Sequence, residues 1–297
     1  MPARADQRRP RVDAHQHFWQ FARGDYGWLR ADDAGLAPLV RDFLPADLGP
    51  LLRTHGVTRT VLVQAAPSVA ETTFMLSLAA AHDAVGGVVG WADLSAADAA
   101  STLARLAEDA RLKGVRPMLQ DLPADDWIIT APRPDALRAL RHLGLRFDAL
   151  VKSRQLAPLA RFARANAELP IAVDHAAKPP LASAWNDEPM QAWRRDLAAL
   201  AALPGVHCKL SGLLTELAPA DRITRESMMA RLSPVVDALL NWFGPGRLMW
   251  GSDWPVLTLA GRYADWVEVS DALLAPLSAG ERAQVLHGNA QRFYGLA

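Results

Sequence analysis

The sequence predicts a (β/α)8 barrel in a single domain, residues 1–297. Short apolar β-type runs alternate with longer helical segments along the whole chain. The runs are too apolar to be half-exposed, which suits a parallel sheet covered on both faces. Eight such units fit comfortably in 297 residues, a usual length for a barrel. A doubly wound open sheet fits less well, because no Gly-rich phosphate loop follows the first strand.

Each element can be read in order. The first strand is "RVDAHQ", followed by a long loop over residues 18–45 that contains "GDYGWL". The second strand, "TRTVLVQ", leads into the helix "AETTFMLSLAAAHDA", and the third, "GGVVGWA", into "AADAASTLARLAEDARL". The fourth, "KGVRPML", precedes a second long loop, "QDLPADDWIITAPRP", and the helix "RPDALRALRHLG". The fifth, "LRFDAL", and sixth, "IAVDH", are followed by "SRQLAPLARFARAN" and "EPMQAWRRDLAALAAL". The seventh, "VHCKLSG", precedes "RESMMARLSPVVDALLNWFG", and "RLMWGSD" is the eighth strand. The helices carry apolar residues at i, i+3, i+4 and i+7, the spacing of one buried face. Long loops at the C-terminal ends of barrel strands are where substrate lids sit.

Composition narrows the function classes. Lys+Arg and Asp+Glu balance at 32 each, so no overall field draws the chain to nucleic acid or an acidic membrane. No apolar run reaches the length of about 20 residues that spans a bilayer. The start "MPARADQRRP" lacks the apolar core of a secretory signal. The single cysteine, Cys208, excludes an intramolecular disulfide framework. A cytoplasmic protein acting on a small molecule is expected, with its oligomeric state left open.

In a barrel, polar residues at the C-terminal ends of strands point to the active site. His15 and His17 are one residue apart, so in an extended strand their side chains share a face. Alone the pair reads either as a wetted strand end or as a metal or catalytic pair. The other strands decide between these. Gln64 ends strand two, Arg116 lies in strand four, His175 ends strand six, Lys209 and Ser211 lie in strand seven, and Asp253 ends strand eight. Unpartnered charges are costly to bury, so polar groups from six strands converging on one mouth indicate a site.

This constellation resembles the amidohydrolase superfamily. The resemblance rests on "HQH" after strand one, "VDHAAKP" after strand six, "WGSDWP" after strand eight and the closing "VLHGNAQRFYGL". The segments "DAHQHFW", "VLVQAAPSVAET", "KGVRPMLQ", "KLSGLLTE" and "MWGSDWPV" resemble its sugar-lactonase and 2-pyrone-4,6-dicarboxylate lactonase group. It implies hydrolysis of a small sugar lactone of the L-fucono or L-rhamnono type. The metal-rich members of the superfamily add a bridging Lys or Glu from strand four and a histidine from strand five. Here strand five has no histidine, and Lys113 opens strand four at the wrong end. A two-metal site is therefore not expected. A single divalent ion such as Zn2+ on His15, His17 and Asp253 suits the residue types, with His175 nearby. The resemblance implies that such a metal is not required.

Lactone hydrolysis needs a water, a base and stabilisation of the carbonyl oxyanion. Asp253 is the expected base, with His175, His15 and His17 steering water or the carbonyl. Arg116 reads as a fork for a carboxylate or hydroxyls, or as a barrel-interior ion pair. Gln64 and Lys209 suit sugar hydroxyls; Gln64 is equally an ordinary strand-end amide, and Lys209 could point out between helices. Trp28 and Trp254 offer flat faces for a sugar ring or fill core. A 2-pyrone-4,6-dicarboxylate-like lactonase, a metal-dependent decarboxylase and a non-catalytic sugar-binding barrel are the alternatives.

Overall fold

A computed structural model describes residues 10–296. The opening segment discussed above, residues 1–9, lies outside the described residues. Eight parallel strands pair in sequence order. They are β1 (Arg11–Gln16), β2 (Val57–Val63), β3 (Val85–Gly90), β4 (Leu112–Val115), β5 (Arg146–Ala149), β6 (Ile171–Val173), β7 (Val206–Leu210) and β8 (Leu248–Trp250). Just past β8 the sheet returns to β1. The Asp253 amide donates to the His15 carbonyl at 2.8 Å, and the His17 amide to the Trp254 carbonyl at 2.7 Å. The chain is a (β/α)8 barrel.

The helices are α1 (Pro45–His55), α2 (Val69–Ala81), α3 (Ala99–Leu106), α4 (Trp127–Thr130), α5 (Pro134–His142), α6 (Leu156–Ala165), α7 (Glu188–Ala201), α8 (Leu213–Glu216), α9 (Arg225–Phe243), α10 (Tyr263–Leu273), α11 (Ala279–Ala283) and α12 (Asn289–Tyr294). The short apolar stripes of α3, α5 and α6 turn inward as their spacing requires; Leu103, Leu140 and Leu159 are fully buried. Most of the core lies between the strands and this helical coat. A second cluster joins Val12, Val61, Val89 and Met249 to Phe293 and Tyr294 of α12, so the C-terminal segment packs against the strands themselves.

Strands β4, β6, β7 and β8 stop earlier than their apolar runs suggest. Arg116, His175, Ser211 and Asp253 therefore stand just beyond strand ends. Backbone that leaves the sheet there can turn its polar side chains over the mouth. Of the two long loops, the first holds α1 at its end, and the second carries α4. Among the described residues no helix is long and apolar enough to cross a membrane.

Candidate active site

The site begins with an irregularity in β1. Between the pairs Asp13↔Thr60 and Gln16↔Leu62, β1 advances three residues against two of β2. Such a bulge re-aims the side chains that follow it. Asp13 holds it in place. Its carboxylate accepts from the Ser252 amide at 2.8 Å, the His15 amide at 3.2 Å and the Tyr263 hydroxyl at 3.1 Å. Burial pushes its pKa up to about 6, against the pull of these donors. Asp13 thus bonds toward Ser252 and α10, while His15 and His17 turn to the mouth.

There the two imidazoles meet with Nε2 atoms 3.2 Å apart. Asp253 Oδ1 lies 3.3 Å from His17 Nε2 and 3.7 Å from the Nε2 atoms of both His15 and His175. Asp253 sits in left-handed backbone, φ 60°. His175 opens a run of four residues, through Lys178, with φ between 50° and 57°. Such conformations are costly outside glycine and concentrate at functional sites. Gly212 is required at its position. Its φ is +64°, and a Cβ there would stand 2.4 Å from His175 Nδ1.

Hydrogen bonds assign the rings. His17 Nδ1 donates to the Val63 carbonyl at 2.8 Å, which turns its Nε2 toward His15 and Asp253. The Ser211 hydroxyl lies 2.9 Å from His175 Nδ1; donation there leaves the Nε2 proton facing Asp253. His15 Nδ1 has two neighbours of opposite kind, Lys209 Nζ at 3.1 Å and Asp174 Oδ1 at 3.3 Å. If Lys209 donates, His15 carries its proton on Nε2. If Asp174 accepts, Nε2 is a bare lone pair. Burial drives His175 down to about 4 and His15 well below the ordinary value, so both rings are neutral at pH 7. Burial alone would raise Asp253; attraction to the histidines that surround it, His175 first, together with the contact with His17, outweighs it and holds the carboxylate below its usual range.

Beneath the rings lies a buried charge network. Lys209 pairs with Asp148 and, at 3.0 Å, with Asp174. Arg116 Nη1 reaches Asp174 Oδ2 and His15 Nε2, both at 3.3 Å, and its Nη2 donates to the Gln64 carbonyl. The Gln64 amide returns the tie, donating to the Arg116 carbonyl at 2.7 Å. Tyr294 donates to Asp148 at 2.9 Å.

Above this floor opens a cavity of about 270 Å3. His17, His175, Asp253, Arg116 and Trp28 line it, together with Met118, Gln120, Asp121 and Lys178. The structure brings His15, His17, His175 and Asp253 together. It places Arg116 at their edge and Trp28 on the wall, its indole N–H donating to the Ala65 carbonyl at 2.7 Å. It does not bring His15, Gln64, Lys209 or Trp254 to the cavity lining; His15 touches the site through its contacts with His17, His175 and Asp253. Gln64 and Lys209 are wholly buried, and Trp254 packs edge-on against Phe18 and Phe43. Asp174, Asp148 and Lys178 escape sequence reasoning. The only trace of Asp174 and Asp148 is an acidic residue inside an apolar strand run.

His15, His17 and Asp253 form a candidate metal centre, their ligand atoms lying within 4.8 Å of one another. Two neutral imidazoles and a carboxylate fit one Zn2+ with an open position. Asp174 beside His15 Nδ1 and the Val63 carbonyl beside His17 Nδ1 are the outer partners that orient such ligands.

Comparison with known proteins places the chain in a family. A family profile described as Amidohydrolase matches residues 12–296. An L-fucono-1,5-lactonase from Burkholderia ambifaria is 46% identical over 291 residues, covering 96% of this chain and 95% of that protein. An L-fucono-1,5-lactonase from Burkholderia multivorans is 39% identical, covering 96% of each chain. A crystal structure of an amidohydrolase from Burkholderia multivorans with bound zinc superposes with a TM-score of 0.87 and 38% identity, over 97% of this chain and 99% of that one.

Proposed function

Because the chain belongs to the amidohydrolase family, we propose that it hydrolyses a small sugar-acid lactone of the L-fucono-1,5-lactone type. The observation that carries the reading is the meeting of one ionised carboxylate, Asp253, with three imidazole Nε2 atoms at 3.3–3.7 Å, of which those of His17 and His175 belong to residues lining the cavity while His15 is buried behind them. The two L-fucono-1,5-lactonase relatives supply the substrate class.

The chemistry follows from the residues. Asp253 takes a proton from a water that attacks the lactone carbonyl. The His175 Nε2–H, fixed by Ser211 on the other nitrogen, donates to the carbonyl oxygen as negative charge develops there. Arg116 Nη1 adds a fixed positive charge at the edge of the floor. The carbonyl carbon–ring oxygen bond then breaks. The ring oxygen leaves as an alcohol with the proton that Asp253 returns, and the acid product ionises to a carboxylate. A Zn2+ on His15, His17 and Asp253 would supply Lewis-acid polarisation of the carbonyl. We take it as dispensable, because a lactone is an activated ester and the side chains already provide base and donors.

A dicarboxylate such as 2-pyrone-4,6-dicarboxylate would call for free cations at the mouth, whereas of the two that line the cavity Arg116 is tied to Asp174 and the Gln64 carbonyl and Lys178 faces Glu216. A pH-indicator screen of sugar lactones, with and without exhaustive chelation, tests the reading. L-fucono-1,5-lactone is expected among the fastest substrates, with most of the rate surviving chelation. Failure to open any sugar lactone, with or without Zn2+, would sink it.

A further inference from the structure

Of the fixed cations that line the cavity among the described residues, Arg116 and Lys178, Arg116 is committed to Asp174, His15 and Gln64. Lys178 is placed differently. It closes the left-handed run that begins at His175, and its amide donates back to the His175 carbonyl at 2.8 Å. That turn carries the lysine from the end of β6 to the cavity wall. Its ammonium faces Glu216 of α8 at 3.6 Å, beyond close hydrogen-bond distance, and both side chains are 24% exposed. An open pair of this kind has unused donors on the lysine and unused acceptors on the carboxylate. A hydroxyl is both donor and acceptor. A ring hydroxyl in the cavity can bridge the pair from the side, accepting from the Lys178 ammonium that lines the cavity and donating to the carboxylate 3.6 Å from it.

We infer that the Lys178–Glu216 pair recognises the ring hydroxyls of the substrate and makes the site selective for hydroxylated lactones over bare ones. This rests on the lactonase reading and adds to it the element that distinguishes a polyol ring. The Asp253 cluster acts on the ester group, which every lactone has. Lys178 and Glu216 act on substituents that only a sugar has.

The test compares L-fucono-1,5-lactone with unsubstituted δ-valerolactone, a ring without hydroxyls. Lys178→Met is expected to lower kcat/KM for the sugar lactone on the order of tenfold more than for the bare ring, the loss typical of a hydrogen bond to a charged group. Glu216→Gln should shift the same ratio in the same direction, and Lys178→Arg should recover most of it. Equal losses on both substrates, or none on either, would overturn the inference. If Lys178→Met does not fold by circular dichroism, Glu216→Gln and Lys178→Arg carry the comparison, and an unchanged ratio in Glu216→Gln overturns it. A parent protein that opens δ-valerolactone but not the sugar lactone overturns this selectivity while leaving a lactonase. A parent protein inactive on both overturns the functional reading and this one with it.

Discussion

Asp253 and His175 hold opposite protonation preferences within 3.7 Å of each other. The carboxylate stays ionised to low pH, while burial keeps the imidazole neutral down to about 4. Asparagine at 253 keeps the shape and removes the carboxylate proposed as the base. Asp253→Asn should cut kcat by roughly 10²–10⁴-fold, the usual worth of a general base, with an unchanged melting temperature; a folded variant that keeps half the parental rate would contradict the assignment. The same shift on His175 has a stability consequence. Above the unfolded value of 6.5 the ring is neutral in both states. Between 6.5 and about 4 the unfolded chain binds the proton first. The stability attached to the neutral ring is thus present above pH 6.5 and is lost as the pH falls through 4. His175→Asn removes this loss, so its melting temperature relative to the parent should rise between pH 7 and pH 4.5. A constant difference across that range would count against a buried neutral His175.

The elements that matter most are the turns after β6 and β7. Four left-handed residues after β6 and Gly212 after β7 interlock, because His175 occupies the space a Cβ at 212 would need. Gly212→Ala should lose on the order of 1–2 kcal/mol from its left-handed backbone alone. It should lose activity more severely, since His175 must move away from Asp253. Matched measurements of melting temperature and kcat/KM check this; a variant with lowered stability and normal turnover would show that His175 needs no fixed position. The loop after β1 contributes a wall through Trp28, anchored on Ala65 and meeting Trp19 edge-on at 5.7 Å. Trp28→Ala should raise KM with a smaller effect on kcat, whereas Trp28→Phe should retain much of the binding.

At the scale of the whole barrel, the charges under the imidazoles join β4, β5, β6 and β7 with the C-terminal α12. Lys209, Asp148, Asp174 and Arg116 are each no more than 3% exposed. Burial raises Asp148 to about 6 against the lysine beside it, while Lys209, His15 and Arg116 hold Asp174 far down in spite of its burial. Removing one partner strands the others. Lys209→Met should destabilise by roughly 3–5 kcal/mol, the cost of leaving a buried partner charge uncompensated. Urea unfolding measures it. A loss of turnover with full stability would instead assign Lys209 to the chemistry itself.

The sequence alone determined the barrel, because apolar runs alternating with amphipathic segments have few other ways to be buried. It also brought out the four mouth residues, since "HQH", "VDH" and "WGSD" each end an apolar run. Tertiary structure decided what faces what. Period-two alternation would set Asp13 beside His15 and His17, but the bulge in β1 separates them and gives Asp13 to Ser252 and Tyr263. Lys209 and Gln64 have the residue types of a sugar site, yet closing the barrel puts them under its floor, tied to Asp148, Asp174 and Arg116. Lys178 has no sequence signal, because the left-handed turn that carries it to the wall consists of ordinary non-glycine residues. Such a conformation is held by packing around it and not by local preference. The positions of the strands are local and can be read from hydrophobic pattern, although four of them end earlier than that pattern suggests. The depth of a side chain along the barrel axis is set by strand register and closure, which involve residues more than two hundred positions apart.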